Sequence, residues 1–324
     1  MKSHFLYILM GFLLIFITSS CEDDDFQKEY PEPKATIMIV PDIQNYTNNE
    51  KNLKYLTSIV DYYKTNRKNL DVVLQVGDLT YNNEPWQYEN AYKYFISQFD
   101  ENDQMVYGLG NHDYGSNGSS DKRISNIQDY MLPIYDFKMD GAAYENYVKH
   151  VIIGGVRYGV LVLEFATRNE TLEWANQVIS NEPDIPYIIL THAFLDYRGK
   201  MFDVTDPTCD NSVSPKNYRM GEGYKNDSKE IFDKLIYTNS NVKLVICGHS
   251  LTPDYINILS KNNSKGEPVY IVMVNYQDYT DGGQGYVGLL DITDGFYRIR
   301  SYSTFKKEFG NIDIDFGDTS KISE

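Results

Sequence analysis

Residues able to hold a metal ion or move a proton recur in this chain directly after apolar runs. Asp42 and Gln44 follow ATIMIV (35–40), and Asp78 follows DVVLQV (71–76). Asn111 and His112 follow MVYGLG (105–110), His192 ends YIILTH (187–192), and His249 ends VKLVICGH (242–249). Imidazole and carboxylate groups suit a divalent transition ion such as Zn, Mn or Fe. A histidine taken singly is ordinarily a satisfied core or surface residue. Of the five in the chain, His4 lies in the leader and His150 falls in mid-strand. The other three sit beside Gly, Asn or Thr at the ends of buried runs, which points to a shared centre. Cysteines stand only at 21, 209 and 247, too few for a purely structural zinc site. Cys247 lies in an apolar run and reads as a buried free thiol, with a 209–247 disulfide as the other arrangement. The chain has no HExxH, so a zinc peptidase has no support.

These residues need elements to hold them. The apolar runs are β-branched and short, as buried strands are. Between them, 50–67 and 84–99 have helical spacing, the second with an aromatic stripe of Trp86, Tyr92, Phe95 and Phe99. Trp86 and Trp174 are expected in the core. Residues 144–164 are two runs separated by Gly154-Gly155, a hairpin pattern, while 171–180 and 226–237 read as helices. YIVMVNY (270–276), YVGLLDI (286–292) and FYRIRSY (296–302) are late strands. Strand–helix alternation followed by a meander predicts one layered α/β domain. In such sheets the carboxyl ends of strands line the ligand crevice, where the metal-capable residues would meet. Residues 193–225, polar and rich in Asp, Asn, Gly and Tyr, read as a long functional loop.

Pro41-Asp42-Ile43-Gln44, Gly77-Asp78, Gly110-Asn111-His112-Asp113, Thr191-His192 and Gly248-His249 stand in the order of the motifs of calcineurin-like metallophosphoesterases. Over about residues 35–305 the chain resembles that superfamily. It is most similar to a bacterial subgroup with a PD-x-Q start, the segment LEFATRNETLEWAN (163–176), and YQ with GG-x-GY near the end (276–286). The resemblance implies a four-layer α/β/β/α sandwich, two mixed sheets flanked by helices. It implies two divalent metals bridged by Asp78, one completed by Asn111, His192 and His249, the other by Asp42 and Gln44. Leu251 stands where a second histidine of that site would be, so the second ion would be weakly held, be a harder cation, or borrow from Asn275, Gln277 or Asp278. The implied activity is hydrolysis of phosphomonoesters or phosphodiesters by a metal-activated hydroxide. His112 would serve the leaving oxygen and Asp78 the metals. Asp113 either orients His112 or forms a turn. Glu164 either lines the site, supports its ligands from behind, or is a solvated strand-end charge. The alternative function is a metal-binding surface lipoprotein that has lost turnover. His112 favours the enzyme, because a scaffold needs no acid–base group beside a ligand.

The start of the chain reads as a lipoprotein signal. Lys2 precedes an apolar stretch from Phe5 to Ile17, then Thr18, Ser19, Ser20 and Cys21. That stretch is short for a membrane span. Expected divisions are a signal peptide at 1–20, an acidic tether at 21–34 beginning Glu22-Asp23-Asp24-Asp25, a phosphoesterase domain at 35–310 and a C-terminal tail at 311–324. Lipidated at Cys21, the protein would sit in the cell envelope on the outer membrane, periplasmic or surface-exposed, touching the membrane through its anchor. The net charge of −16 repels polyanions at long range, which disfavours nucleic acid and leaves a small phosphorylated substrate drawn in by local cations.

Overall fold

ATIMIV becomes strand β1 (Ala35–Val40), with every residue buried. The computed structural model describes residues 30–130, 135–142, 144–221 and 223–319. The expected signal peptide, Cys21 and the acidic run after it lie outside the described residues. The fold described is that of the compact unit beginning at Glu32. Among the described residues no helix is long and apolar enough to cross a membrane.

The remaining strands are β2 (Val72–Gln75), β3 (Met105–Tyr107), β4 (Phe137–Lys138), β5 (Tyr147–Ile153), β6 (Val156–Leu163) and β7 (Tyr187–Thr191). They continue with β8 (Val242–Cys247), β9 (Ile256–Asn262), β10 (Pro268–Val274), β11 (Tyr286–Ile292), β12 (Tyr297–Ser303) and β13 (Glu308–Phe316). One sheet runs β13-β12-β11-β1-β2-β3, the other β4-β5-β6-β7-β8-β10-β9. Both are mixed. β1, β2 and β3 are parallel, and β11 joins β1 antiparallel. β6, β7, β8 and β10 are parallel, with β5 and β9 antiparallel at their flanks. The hairpin expected around Gly154-Gly155 is β5–β6, closing with Ile153 opposite Val156.

The period of two along each strand sorts the apolar residues into layers. Ile37, Ile39 and Leu74 of the first sheet meet Val160, Ile188, Leu244 and Val272 of the second, forming the middle core. The opposite faces of the same strands carry helices. Met38, Val40 and Val73 pack with Tyr55, Leu56, Ile59 and Val60 of α2 (Leu53–Asn66) and with Tyr88 and Ala91 of α3 (Pro85–Tyr94). Leu161, Ile189 and Val245 pack with Leu172, Ala175 and Ile179 of α4 (Asn169–Asn181) and with Ile231 of α5 (Ser228–Ile231). The expected α/β/β/α sandwich is the observed one. Short α1 (Gln44–Thr47) precedes α2.

Details differ from the pattern. The helix expected over 84–99 ends at Tyr94, because Phe95 leaves helical geometry and a short 3-10 turn follows. Trp86 is 46% exposed in the first turn of α3, and Tyr88 takes the core position. Trp174 is half-buried beside the α4 cluster. The helix expected over 226–237 starts at an Asp227–Glu230 capping box and loosens after Ile231, so that Tyr237 N–H donates to Phe232 O. β9 and β13 were not expected, being edge strands with little buried surface. β13 pairs with β12 as far as Phe316, so the sheet continues past residue 310. Cys209 and Cys247 are free.

Candidate metal centre

The turn after β2 is fixed by a polar side chain in an apolar strand. Gln75 Nε2 donates to Gly77 O at 2.6 Å, and Gly77 N–H donates back to Gln75 Oε1 at 3.0 Å. This holds Gly77 at φ +107° and Asp78 at φ +52°, aiming the Asp78 carboxylate across the strand ends. Glycines let the strand ends close on one another. A Cβ on Gly77 would lie 2.7 Å from Gly110 N, and one on Gly110 would lie 2.1 Å from Asp78 Oδ1. A Cβ on Gly248 would lie 2.4 Å from Asp42 Oδ1. Only residues without a side chain fit there.

The convergence is tight. Ligand atoms of Asp42, Asp78 and His192, all buried, lie within 4.8 Å of one another. His192 Nε2 is 3.3 Å from Asp78 Oδ2 and 3.1 Å from Asn111 Oδ1. His249 Nδ1 is 3.2 Å from His192 Nε2. Asp78 Oδ1 accepts His112 N–H at 2.9 Å, and Asp78 Oδ2 accepts Gln44 Nε2 at 3.0 Å. Asp42 Oδ2 accepts Asn275 Nδ2 and Gln277 Nε2, each at 3.0 Å. Gln44 Nε2 also donates to Gln277 Oε1 at 2.6 Å. Asp42, Gln44, Asp78, Asn111, His192 and His249 are thus neighbours, with His112 at the rim. Of the residues considered as substitute donors, Asn275 and Gln277 are in the cluster, while Asp278 is exposed. Leu251 is 51% exposed.

Charge in this pocket is out of balance. Burial, reinforced by the neighbouring Asp78 charge, pushes Asp42 up to about 7 despite His192. Burial alone would raise Asp78, but His192 and His112 hold its carboxyl well below the usual range. His192 is raised to about 9: burial opposes its charge, and the Asp78 and Asp42 carboxylates outweigh burial. His249 is lowered to about 3 by burial and by the His192 charge.

A divalent cation fits these residues. Two buried carboxylates lie side by side, and a positive charge between them removes their repulsion. Gln44 Oε1 is buried without a hydrogen-bond partner among the described residues, an unused oxygen donor at the expected second site. His192 Nδ1 lies 3.0 Å from Val76 O and His249 Nε2 lies 2.9 Å from Val213 O. Each carbonyl accepts from the ring nitrogen it faces, leaving His192 Nε2 and His249 Nδ1 as inward-facing lone pairs, the arrangement that orients an imidazole ligand.

Two sequence expectations resolve differently. Asp113 does not touch the His112 ring. It accepts N–H groups of Gly110, Leu79 and Thr80 at 2.9, 3.0 and 2.9 Å, and so ties the two motif turns together. Glu164 neither lines the site nor faces solvent. It is buried and accepts from Arg123, Arg168 and Thr171 at 3.0, 3.0 and 2.7 Å, and Arg123 also donates to Phe165 O and Ala166 O. Unpredicted parts come from loops. His112 Nδ1 lies 2.7 Å from Tyr81 O, which fixes that ring and leaves Nε2 without a hydrogen-bond partner among the described residues. The long 193–225 loop supplies Val213 O and also Tyr218, whose ring packs against Phe165 at 4.9 Å and His249 at 6.1 Å. The only sequence signal for these was the length and Tyr content of that loop.

Residues 35–253 match the family model described as calcineurin-like phosphoesterase. The chain is 26% identical over 330 residues to the uncharacterized protein YvnB of Bacillus subtilis strain 168, covering 95% of this chain and 23% of that protein. The chain therefore spans under a quarter of that relative. Its fold is similar to a dimetal phosphatase from Danio rerio, with 11% identity, 87% of this chain and 98% of that one covered, and a TM-score of 0.52. A purple acid phosphatase from yellow lupin (Lupinus luteus) aligns over 88% of this chain and 55% of its own, with 14% identity and a TM-score of 0.47.

Proposed function

The chain belongs to the calcineurin-like phosphoesterase family, and on that premise we propose that it is a metal-dependent hydrolase of phosphate esters, monoesters or diesters. The observation that carries this reading is the meeting of Asp42, Asp78 and His192 ligand atoms within 4.8 Å. Asp78, Asn111, His192 and His249 would hold one divalent ion, and Asp42, Gln44 and Asp78 a second, with Asp78 between them. Zn, Mn and Fe fit the imidazole and carboxylate donors, and the Gln44 amide favours a harder ion such as Mn at the second position. Bound there, the ions supply Lewis acidity and positive charge against a phosphoryl group and the water that attacks it.

The protein's own groups do the rest. Gln277 and Asn275 hold the Asp42 carboxylate in place through their amide N–H groups. The Val76 and Val213 carbonyls fix the tautomers of the two histidines. His112, oriented by Tyr81 O, keeps Nε2 available to give a proton to the departing oxygen. Phe165 packs against both His192 and His249 and keeps water from their far faces.

Purified protein loaded with Mn or Zn should hydrolyse p-nitrophenyl phosphate or bis(p-nitrophenyl) phosphate, and a chelator should stop it. Tight metal binding with no turnover of either compound selects the second reading, a metal-binding surface lipoprotein. That reading draws on Leu251 and Gln44, which stand where imidazoles would strengthen the second site.

The sequence also supports lipidation at Cys21 and a place in the cell envelope at the outer membrane, with a small phosphorylated molecule rather than nucleic acid as substrate. Labelling with a palmitate analogue should mark the wild type and not Cys21→Ser. Label retained by the variant rules the anchor out.

A further inference from the structure

The two segments that buttress the centre also line an open surface cavity beside it. Its volume is about 530 Å³, and Ser119, Asp121, Ser212, Asn217, Tyr218 and Arg219 line it. That size is in the range of small-ligand sites. Ser119 follows the turn that bears Asn111 and His112, and Ser120 Oγ donates to Asn111 O. Ser212 precedes Val213, whose carbonyl holds His249. Tyr218 is shared, since its ring packs on Phe165 and His249 while also walling the cavity. The cavity therefore lies beside the segments that hold Asn111 and His249, two of the residues of the centre.

We propose that this cavity is the leaving-group subsite, and that it takes the hydroxyl-rich alcohol of a phosphate ester, as in a sugar phosphate. The inference rests on the phosphoesterase reading and refines its substrate class. The lining chemistry selects hydroxyls over a second phosphate. Arg219 is exposed and makes no ion pair among the described residues, so its donors are open to a ligand. Asp121 offsets that charge, leaving the lining without the net positive charge that a second phosphate needs. Donors on Arg219, Asn217 and the serines pair with hydroxyl lone pairs, the Asp121 carboxylate accepts hydroxyl protons, and the Tyr218 ring offers a flat face to C–H groups. Asp121 is already oriented, because Ser116 N–H donates to its Oδ1 at 2.7 Å.

The test compares two phosphonates that cannot be hydrolysed, the phosphonate analogue of glucose 6-phosphate and methylphosphonate, by calorimetry on Mn-loaded protein. The sugar phosphonate should bind at least about tenfold tighter, about 1.4 kcal/mol. The ratio of the two dissociation constants should fall at least fivefold in Arg219→Ala and in Asn217→Ala. Asn217 Nδ2 donates to Asn211 O and so also supports its loop. Arg219 has no such role, and its variant keeps the test decisive if Asn217→Ala unfolds. Equal binding of the two phosphonates, or a ratio unmoved in Arg219→Ala, overturns the subsite alone. If neither phosphonate binds the metal-loaded protein, the phosphoesterase reading falls and the subsite with it.

Discussion

His249 Nδ1 lies 3.2 Å from His192 Nε2, while the outer nitrogen of each ring faces a backbone carbonyl. Two inward lone pairs at that distance repel unless a cation or a proton sits between them. In protein free of metal the proton belongs on His192, raised to about 9, and His249, lowered to about 3, accepts it. A metal ion must displace that proton. At pH 7, calorimetry in buffers of different ionisation enthalpy should show about one proton released per ion bound. His192 has a folded pKa above its unfolded value of 6.5, so its contribution is full below 6.5 and is lost as pH rises through about 9. Chelator-treated protein should therefore melt lower at pH 9 than at pH 7, and metal should reduce the difference. Uptake without proton release would show that His192 is neutral beforehand.

Gly248 tests whether close approach of the strand ends holds the ligands. Its Cβ would stand 2.4 Å from Asp42 Oδ1 and 2.5 Å from Val76 Cγ2. Gly248→Ala removes no ligand, yet it should weaken metal binding at least tenfold and lower the melting temperature. Gly155→Ala meets nothing within 4 Å, and its positive φ should cost stability alone. Equal metal affinity in the two variants would show that the crowding is relieved elsewhere.

Asp113 should matter to folding more than to proton transfer. It receives backbone N–H groups from Leu79, Thr80 and Gly110 in a fully buried place. Asp113→Ala leaves those donors unpaired, at about 1–3 kcal/mol each when buried. Urea unfolding should show a loss of about 3 kcal/mol or more, beyond any change in the pH profile of activity. A stable Asp113→Ala with a shifted pH profile would restore the role of orienting His112.

Legibility followed where the signal lay in the chain. The meeting of Asp42, Asp78, Asn111, His192 and His249 could be anticipated because each stands at the end of an apolar β run, and the carboxyl ends of the parallel strands in the two sheets line a common crevice. The sandwich itself was legible in strands such as ATIMIV, whose alternate residues face two apolar layers. Glu164 was undecided because nothing near it in the chain says that Arg123, 41 positions back, reaches it. Tyr218 and Val213 were hidden in a loop with no periodicity. Trp86 misled because its size suggests core, whereas the first turn of a helix projects it outward. β13 was missed although Ile312, Ile314 and Phe316 alternate with Asn311, Asp313 and Asp315, because an edge strand needs only one paired side and buries little of its surface.

His112 sits near Asp78 through its backbone, with its own ring outside the ligand cluster. Its N–H donates to Asp78 Oδ1, and its Nδ1 is tied to Tyr81 O. His112→Ala should keep bound metal at wild-type stoichiometry and lose about 10²–10⁴-fold in kcat, the usual worth of a positioned acid. The loss should be smaller for p-nitrophenyl phosphate than for an alkyl phosphate, because nitrophenolate leaves without a proton. An equal loss on both, with metal retained, would assign the residue to binding of the phosphoryl group instead.

Gln44 marks the difference between a strong and a weak second site. Its Nε2 is committed to Asp78 Oδ2 and Gln277 Oε1, while its buried Oε1 has no partner among the described residues. An amide oxygen is a poor donor to Zn or Fe and a fair one to harder ions. Gln44→His should raise the number of Zn ions retained after dialysis from near one towards two, read by elemental analysis. Gln277→Ala in the same background should lower it again, because Asp42 Oδ2 loses one of the two amides that orient it. Gln44→Ala, by contrast, should leave the ion held by Asp78, Asn111, His192 and His249 in place, since none of those side chains depends on the amide for its ring or carboxylate orientation except through the single 3.0 Å bond to Asp78. Loss of both ions in Gln44→Ala would mean that the two positions fill as one unit through the shared Asp78 carboxylate.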